Sequence, residues 1–207
     1  MFGLTPDDLK GRILGCGDGP ASFNAEMTEL GHSVVSVDPI YAYSADEISA
    51  RFEATAPTVI AQVRATPDNW VWRYHRNPDE LLFNRRKALA RFLADYEDGR
   101  MQGRYQVAAL PEFAFPDKHF ALALCSHLLF LYSEQLSEEF HIRSVNELCR
   151  VTDEVRIFPL LSLAVRPSPY VEKVRASLER SGWKSEIRKV NYELQRGGNE
   201  MLRIYNP

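Results

Sequence analysis

The sequence predicts an α/β fold: a doubly wound mixed sheet, mainly parallel, that ends in an antiparallel C-terminal hairpin and carries a helical insertion between its second and third strands. Three observations predict it. Short β-rich runs alternate with helical stretches over residues 12–158, the pattern of βαβ units. Two alternating segments, residues 184–193 and 200–205, flank Arg196-Gly197-Gly198-Asn199, a hairpin signal. A glycine cluster, Gly15-Cys16-Gly17-Asp18-Gly19, separates the first strand from the first helix.

Arg12-Ile13-Leu14 enters that cluster as a strand, and Pro20 suits the first turn of a helix reaching Leu30, because its missing N–H would have no intrahelical partner there. Gly31 stops the helix, and Ser33-Val34-Val35-Ser36-Val37 is a β-branched second strand ending at Asp38-Pro39. Residues 41–104 have helical periodicity and are divided by Pro57, Pro67 and Pro78. Asn77-Pro78-Asp79-Glu80 reads as a capping box, starting a helix to about residue 97 with Leu82, Leu89, Phe92, Leu93 and Tyr96 on one stripe. A third strand is expected over residues 105–110 and a fourth, buried on both faces, over residues 120–125. A helix over residues 134–150, a strand over 154–158 and a helix from Ser168-Pro169 to Ser181-Gly182 complete the alternation. The 207 residues are expected to form one domain, with 41–104 as insertion or lid.

Composition narrows the function. With 25 Lys and Arg against 28 Asp and Glu the net charge is −3, which excludes a strongly basic protein that coats nucleic acid. The longest apolar run, residues 120–132, is too short to span a bilayer, and the N-terminal residues lack the pattern of a signal peptide, so a cytoplasmic location is expected. Cys16, Cys125 and Cys149 have no zinc spacing and read as reduced packing residues, with no metal expected.

In an open α/β sheet, ligands bind beyond the carboxyl ends of the strands where strand order reverses. Gly15, Gly17 and Gly19 let the backbone turn tightly and approach a ligand, and Asp38, at the end of the second strand, can accept both hydroxyls of a ribose. An adenosine-containing cofactor fits. The dinucleotide fingerprint wants glycine or alanine where Pro20 stands, and the Lys-Ser/Thr pair of a phosphate-binding loop is missing. The alternative is a turn that only reverses the chain.

Residues 13–19, Val37-Asp38-Pro39, Phe115-Pro116-Asp117-Lys118-His119-Phe120 with Leu122-Ala123-Leu124-Cys125-Ser126-His127, and Glu147-Leu148-Cys149-Arg150-Val151 before Val155-Arg156-Ile157 together resemble the successive motifs of class I S-adenosylmethionine-dependent methyltransferases. The resemblance covers residues 12–158 apart from 41–104, and the final hairpin is similar to that family's last two strands. It implies S-adenosylmethionine as cofactor, with Gly15, Cys16, Gly17 and Gly19 against its methionine part, Asp38 on the ribose, Tyr41 packed on the adenine and the Leu110 N–H meeting the adenine ring. Cys125, Ser126 and His127 would lie where the family's sites open. Ile13, Ala109 and Ala121 depart from the family pattern, each standing where an acidic residue is common.

Methyl transfer is an in-line displacement, so the protein chiefly positions the acceptor and can supply a base. His127, just past a buried strand, is the candidate base near neutral pH; its plain alternative is a packing or cofactor-shell residue. Trp70, Trp72, Arg73, Tyr74, His75 and Arg76 interleave aromatic and basic side chains, read first as a lid over an acceptor pocket and second as a nucleic-acid contact. The expected function is methyl transfer to a small molecule rather than nucleic acid. The rivals are a methyltransferase-like binding protein without turnover, an RNA methyltransferase and a nucleotide-dependent oxidoreductase. No membrane partner is expected, and a homodimer is compatible with the sequence.

Overall fold

Ile13, Leu14 and Cys16 are apolar and have no exposed neighbour between them, which places them in a strand covered on both faces. In the computed structural model, which describes residues 1–206, this strand, β1 (Ile13–Cys16), lies between β2 (Val34–Val37) and β4 (Phe120–Ser126) and is parallel to both. The sheet continues with β3 (Tyr105–Gln106) beyond β2 and with β5 (Thr152–Phe158), β7 (Glu200–Tyr205) and β6 (Lys184–Lys189) beyond β4. Strand order is β3-β2-β1-β4-β5-β7-β6, and β7 runs antiparallel to β5 and β6. The chain winds outward from β1 through β3 and returns to β4, so order reverses between β1 and β4.

Both faces are covered. Helices α4 (Glu138–Val151) and α5 (Val171–Arg180) bring Leu148, Val174 and Leu178 onto Leu14, Val155 and Ile157. On the other face α1 (Phe23–Glu29) and the N-terminal segment lay Phe23, Met27, Phe2 and Leu4 over Ile13, Leu122 and Leu124. Arg156, 4% exposed on β5, anchors that segment through Asp8 at 2.6 Å and the Phe2 carbonyl at 3.1 Å. A charge buried this deeply is tolerable only when paired, and Glu154 completes the pairing at 2.6 Å.

The insertion is a helical hairpin of α2 (Ala45–Ala65) and α3 (Pro78–Met101). Ile48 meets Phe92 and Tyr96 at one end, and Ile60 and Val63 meet Leu81 at the other, so the helices run antiparallel. Ser44 and Glu47 form a reciprocal capping box at the start of α2. At α3 only half of the expected box forms. Asn77 accepts from the Glu80 N–H at 2.9 Å, while the Glu80 carboxylate turns to the Arg76 backbone and guanidinium.

Several elements differ from expectation. Pro57 lies inside α2 instead of dividing the segment; its ring is on the exposed face, where the carbonyl it leaves free meets water. The third strand stops at Gln106 because β2 ends at Val37 and the next residue but one, Pro39, has no N–H to continue a ladder. Pro20 precedes α1, which begins only at Phe23. Helix α4 starts at Glu138, after a short 3-10 turn over Phe130–Tyr132. The expected short hairpin turn is instead a loop over residues 190–199 that crosses to the insertion, where the Val71 N–H donates to the Leu194 carbonyl and the Arg196 N–H to the Asn69 carbonyl, each at 2.8 Å.

Candidate functional site

The glycine turn follows directly from β1. Gly17 (φ 66°) and Gly19 (φ 57°) are left-handed, a conformation costly for residues with a Cβ. The Gly17 N–H donates to the Val37 carbonyl at 2.9 Å, which fastens the turn to the end of β2. Space is tight at two of the three glycines. A Cβ on Gly15 would strike the Asp18 carboxylate, and one on Gly17 would lie 2.6 Å from Leu128 Cδ2, whereas at Gly19 no atom stands within 4 Å. Gly15 and Gly17 thus admit the chain's own side chains, and Gly19 borders open space.

Asp38 spans the turn and the segment after it. One carboxylate oxygen accepts from the Gly19 N–H at 2.9 Å and the other from the Ile40 N–H at 2.8 Å. A carboxylate has about four lone-pair positions, so two remain for ligand hydroxyls. Tyr41 does not present a ring to a ligand, contrary to the expected adenine packing. It is 1% exposed, stacked on Phe92 and flanked by Tyr96 and Tyr105, and only its hydroxyl reaches the turn, donating to the Gly19 carbonyl at 2.8 Å. Its physical role is to brace the turn.

Asp18 is a residue that sequence reasoning passed over. Its carboxylate tucks behind the turn and accepts from Ser36 Oγ at 2.5 Å, and Asn24 in turn donates to Ser36 Oγ at 3.1 Å. Asn24 also accepts from Arg104, which forms a two-point pair with Asp95 of α3, so one polar chain runs from the turn to the insertion. Burial, together with the nearby Asp38 carboxylate, raises the Asp18 pKa to about 6 against the Ser36 hydrogen bond. The one available signal was a serine in the otherwise apolar strand β2.

At the end of β4, Cys125 is paired in register with Cys16 of β1 and with Ile157 of β5. Both cysteine side chains are buried in the main core, which leaves only their backbones to meet a ligand there. Contact with Cys125 and burial hold the Cys16 thiol protonated, and burial pushes Cys149 up to about 12. Leu110 is likewise buried, 8% exposed, in the same core. Ser126 and His127 follow. His127 has φ 53°, uncommon for a residue with a Cβ and a form of strain that gathers at functional sites. Its N–H donates to the Phe158 carbonyl at 2.7 Å, and its Nδ1 shares a hydrogen bond with Ser126 Oγ at 2.8 Å. Nε2 has no side-chain partner among the described residues.

His127 is exposed, with its ring edge-on against Phe158 at 5.4 Å between centroids. Desolvation there, then the Arg85 guanidinium and the amino terminus, lower its pKa to about 4. At pH 7 the imidazole is therefore neutral, and its titration falls well below the neutral range expected from the sequence. His127, Phe158, Tyr192 and Tyr74 form a row of rings with successive centroids 5.4, 5.9 and 5.2 Å apart, running from the sheet through the 190–199 loop to the insertion.

Trp70 and Trp72 pack against a small core of Ile60, Val63 and Leu81 together with Leu194, and Trp70 Nε1 donates to Thr66 Oγ1 at 3.1 Å. Both indoles are half-buried in this packing. Two open depressions, of about 290 and 400 Å³, lie beside Arg12, His32 and Arg104 and beside Pro111, Arg143 and Arg150, away from the turn and His127. Among the described residues no group of three or more His, Cys, Asp or Glu side chains is placed to hold a metal ion, and no helix is long and apolar enough to cross a membrane.

A seven-stranded sheet of this order, with one antiparallel strand and a glycine turn after β1, is the class I S-adenosylmethionine-dependent methyltransferase fold. The chain belongs to the family of "Uncharacterized protein MJ0045" of Methanocaldococcus jannaschii, to which it is 32% identical over 205 residues, covering 99% of this chain and 90% of that one. No family model matches the sequence. Among solved structures, it is similar to the glycopeptide N-methyltransferase MtfA complexed with S-adenosyl-L-homocysteine, with a TM-score of 0.50 and 12% identity over 96% of this chain and 84% of that one. The magnesium protoporphyrin IX methyltransferase ChlM from Synechocystis PCC 6803 is similar with a TM-score of 0.48 and 9% identity, over 95% of this chain and 70% of that one. At such identities the likeness concerns the fold.

Proposed function

We propose that this protein transfers a methyl group from S-adenosylmethionine to a small-molecule acceptor. The observation that carries the reading is the convergence of Gly19, Asp38 and the strained Ser126–His127 pair at the carboxyl ends of β1, β2 and β4, beside the reversal of strand order. The neighbouring glycopeptide N-methyltransferase, complexed with S-adenosyl-L-homocysteine, supports the choice of cofactor.

The residues present fit that cofactor. Asp38 keeps lone pairs for the ribose hydroxyls, the space at Gly19 admits close approach, and the backbones of Gly15, Cys16 and Gly17 would form the wall beside the methionine part. Leu110 and Cys125 would border the site through their backbones. Bound there, S-adenosylmethionine supplies an electrophilic methyl on a sulfonium, which passes to an acceptor lone pair and leaves a thioether. His127 is assigned as the base that takes the acceptor's proton on Nε2 when Nδ1–H is held by Ser126 Oγ. Because its pKa is about 4, it is a weak base, suited to an acceptor whose proton is readily lost.

Calorimetric titration with S-adenosyl-L-homocysteine, followed by transfer assays with methyl-labelled S-adenosylmethionine over a small-molecule panel, tests the reading. Saturable binding and label in a product are expected; binding with no product over the panel would favour a binding protein instead.

A further inference from the structure

The segment before β1 reaches the Ser126–His127 pair. Arg156, buried on β5, donates to the Phe2 carbonyl at 3.1 Å and pairs with Asp8 at 2.6 Å, so the segment is tied to the sheet on both sides of the left-handed Gly3 (φ 56°). The Phe2 ring packs with Ile13, Leu122 and Leu124 and stands edge-on to Phe158, 6.4 Å between centroids. Phe158 in turn stands edge-on to His127 at 5.4 Å. Held in this way, Met1 brings its thioether to 3.8 Å from Ser126 Oγ. Ser126 Oγ has two partners among the described residues, Met1 Sδ and, at 2.8 Å, His127 Nδ1.

A hydroxyl has one proton to donate, and a thioether can only accept. A proton directed to Met1 Sδ leaves Ser126 Oγ as the acceptor of its second bond, so His127 Nδ1 must be the donor. The ring is neutral at pH 7, so a proton on Nδ1 leaves a lone pair on Nε2, the nitrogen without a side-chain partner among the described residues. In the reverse pattern Ser126 donates to Nδ1, the ring proton sits on Nε2, and no basic nitrogen faces an acceptor. Resting on the methyltransferase reading above, we propose that Met1 is a positioning residue: its thioether takes the Ser126 hydroxyl proton and thereby fixes His127 as the Nδ1–H tautomer, with Nε2 free to receive the acceptor's proton. A base oriented by one group that is itself oriented by another is a recurring arrangement in catalysis. Phe2 and Arg156 serve it by holding Met1 in place.

The test is NMR of the His127 ring nitrogens at pH 7 in full-length, histidine-labelled protein, with the signals assigned by their loss in His127→Asn. Residue 1 is varied by cleaving a fusion immediately before it. The parent is expected to show a protonated Nδ1 and a bare Nε2. Met1→Leu keeps the apolar bulk and removes the acceptor, so Ser126 can donate to Nδ1 and the tautomer ratio should shift toward Nε2–H by about two- to fivefold, since sulfur is a weak acceptor. Met101→Leu, at an exposed thioether on the last turn of α3, should leave the ratio unchanged. Circular dichroism checks that each variant is folded. A predominantly Nε2–H ring in the parent, or a ratio unchanged in folded Met1→Leu, would overturn the assignment while leaving the cofactor reading intact. Failure of S-adenosyl-L-homocysteine to bind the same parent sample in calorimetry would remove the reaction that the base serves and overturn both.

Discussion

The turn is built from one short stretch of chain, residues 15–41, whereas the ring side draws Tyr74, His127, Phe158 and Tyr192 from four separate segments. The first is held by hydrogen bonds between near neighbours, such as Gly19 to Asp38 and Tyr41 to Gly19. The second depends on long-range docking, with the 190–199 loop bonded to residues 69–71. A locally closed turn suits a ligand common to a whole fold class, while a surface assembled from distant segments can change with each acceptor.

The largest expected effect lies at the junction of the two sides. His127→Asn keeps a residue that tolerates left-handed backbone but removes the proton acceptor, and should lower the single-turnover rate by about 100- to 10,000-fold with little change in cofactor affinity. With His127 as the proposed base, the neutral imidazole would be the active form, so the rate should be flat across neutral pH and fall as pH drops through about 4; in the variant that fall should vanish. A variant that loses cofactor binding in proportion to rate would move His127 to the turn side.

Next in size are the glycines, where the two sides touch. Gly17→Val places a branched side chain at φ 66° against Leu128 and should destabilise the fold by roughly 3 kcal/mol or more in chemical denaturation. Gly19→Ala meets only the backbone penalty, about 1–2 kcal/mol, because its Cβ enters open space. Equal costs at the two positions would mean that Leu128 does not brace the turn.

Asp18 sharpens the comparison through pH. Its folded pKa, about 6, lies above the usual carboxylate value, so the folded state holds the proton more tightly and the site loses stability as pH rises from about 4 through 6. Asp18→Asn should therefore be more stable than the parent by roughly 1–3 kcal/mol at pH 8, with the gain shrinking toward pH 4. A pH-independent difference in unfolding midpoint would rule out titration of Asp18 as its source. The smallest effect expected on cofactor binding is that of Trp70→Ala with Trp72→Ala. Loosening the small core under the insertion should leave S-adenosyl-L-homocysteine affinity within a few-fold and reduce acceptor transfer. A large loss of cofactor affinity would instead extend the turn side into the insertion.

This contrast also explains what could be read from the sequence. Residues 12–19 and 33–38 announce themselves because a strand, a left-handed turn and a carboxylate within a few residues are constraints that leave local marks: glycines, β-branched runs, Asp before Pro. The half-formed box at Asn77 and the complete one at Ser44 show the limit even of local marks, since Glu80 has two donors to choose from and selects Arg76. Burial of Tyr41 was invisible because it depends on Phe92 and Tyr96, some 50 residues away. Tyr192 and Tyr74 carry no pattern at all; Tyr192 meets Phe158 and Tyr74 only through the docking of the 190–199 loop on the insertion.

The most direct measurement is calorimetric titration of S-adenosyl-L-homocysteine into the parent protein and into Asp38→Ala, with the fold of each checked in parallel. The parent should bind one equivalent per chain. The variant, lacking a charge-assisted acceptor, should bind roughly 10- to 150-fold more weakly while remaining folded. No binding to the parent, or unchanged affinity in a folded Asp38→Ala protein, would contradict the assignment of the glycine turn and Asp38 as the cofactor site.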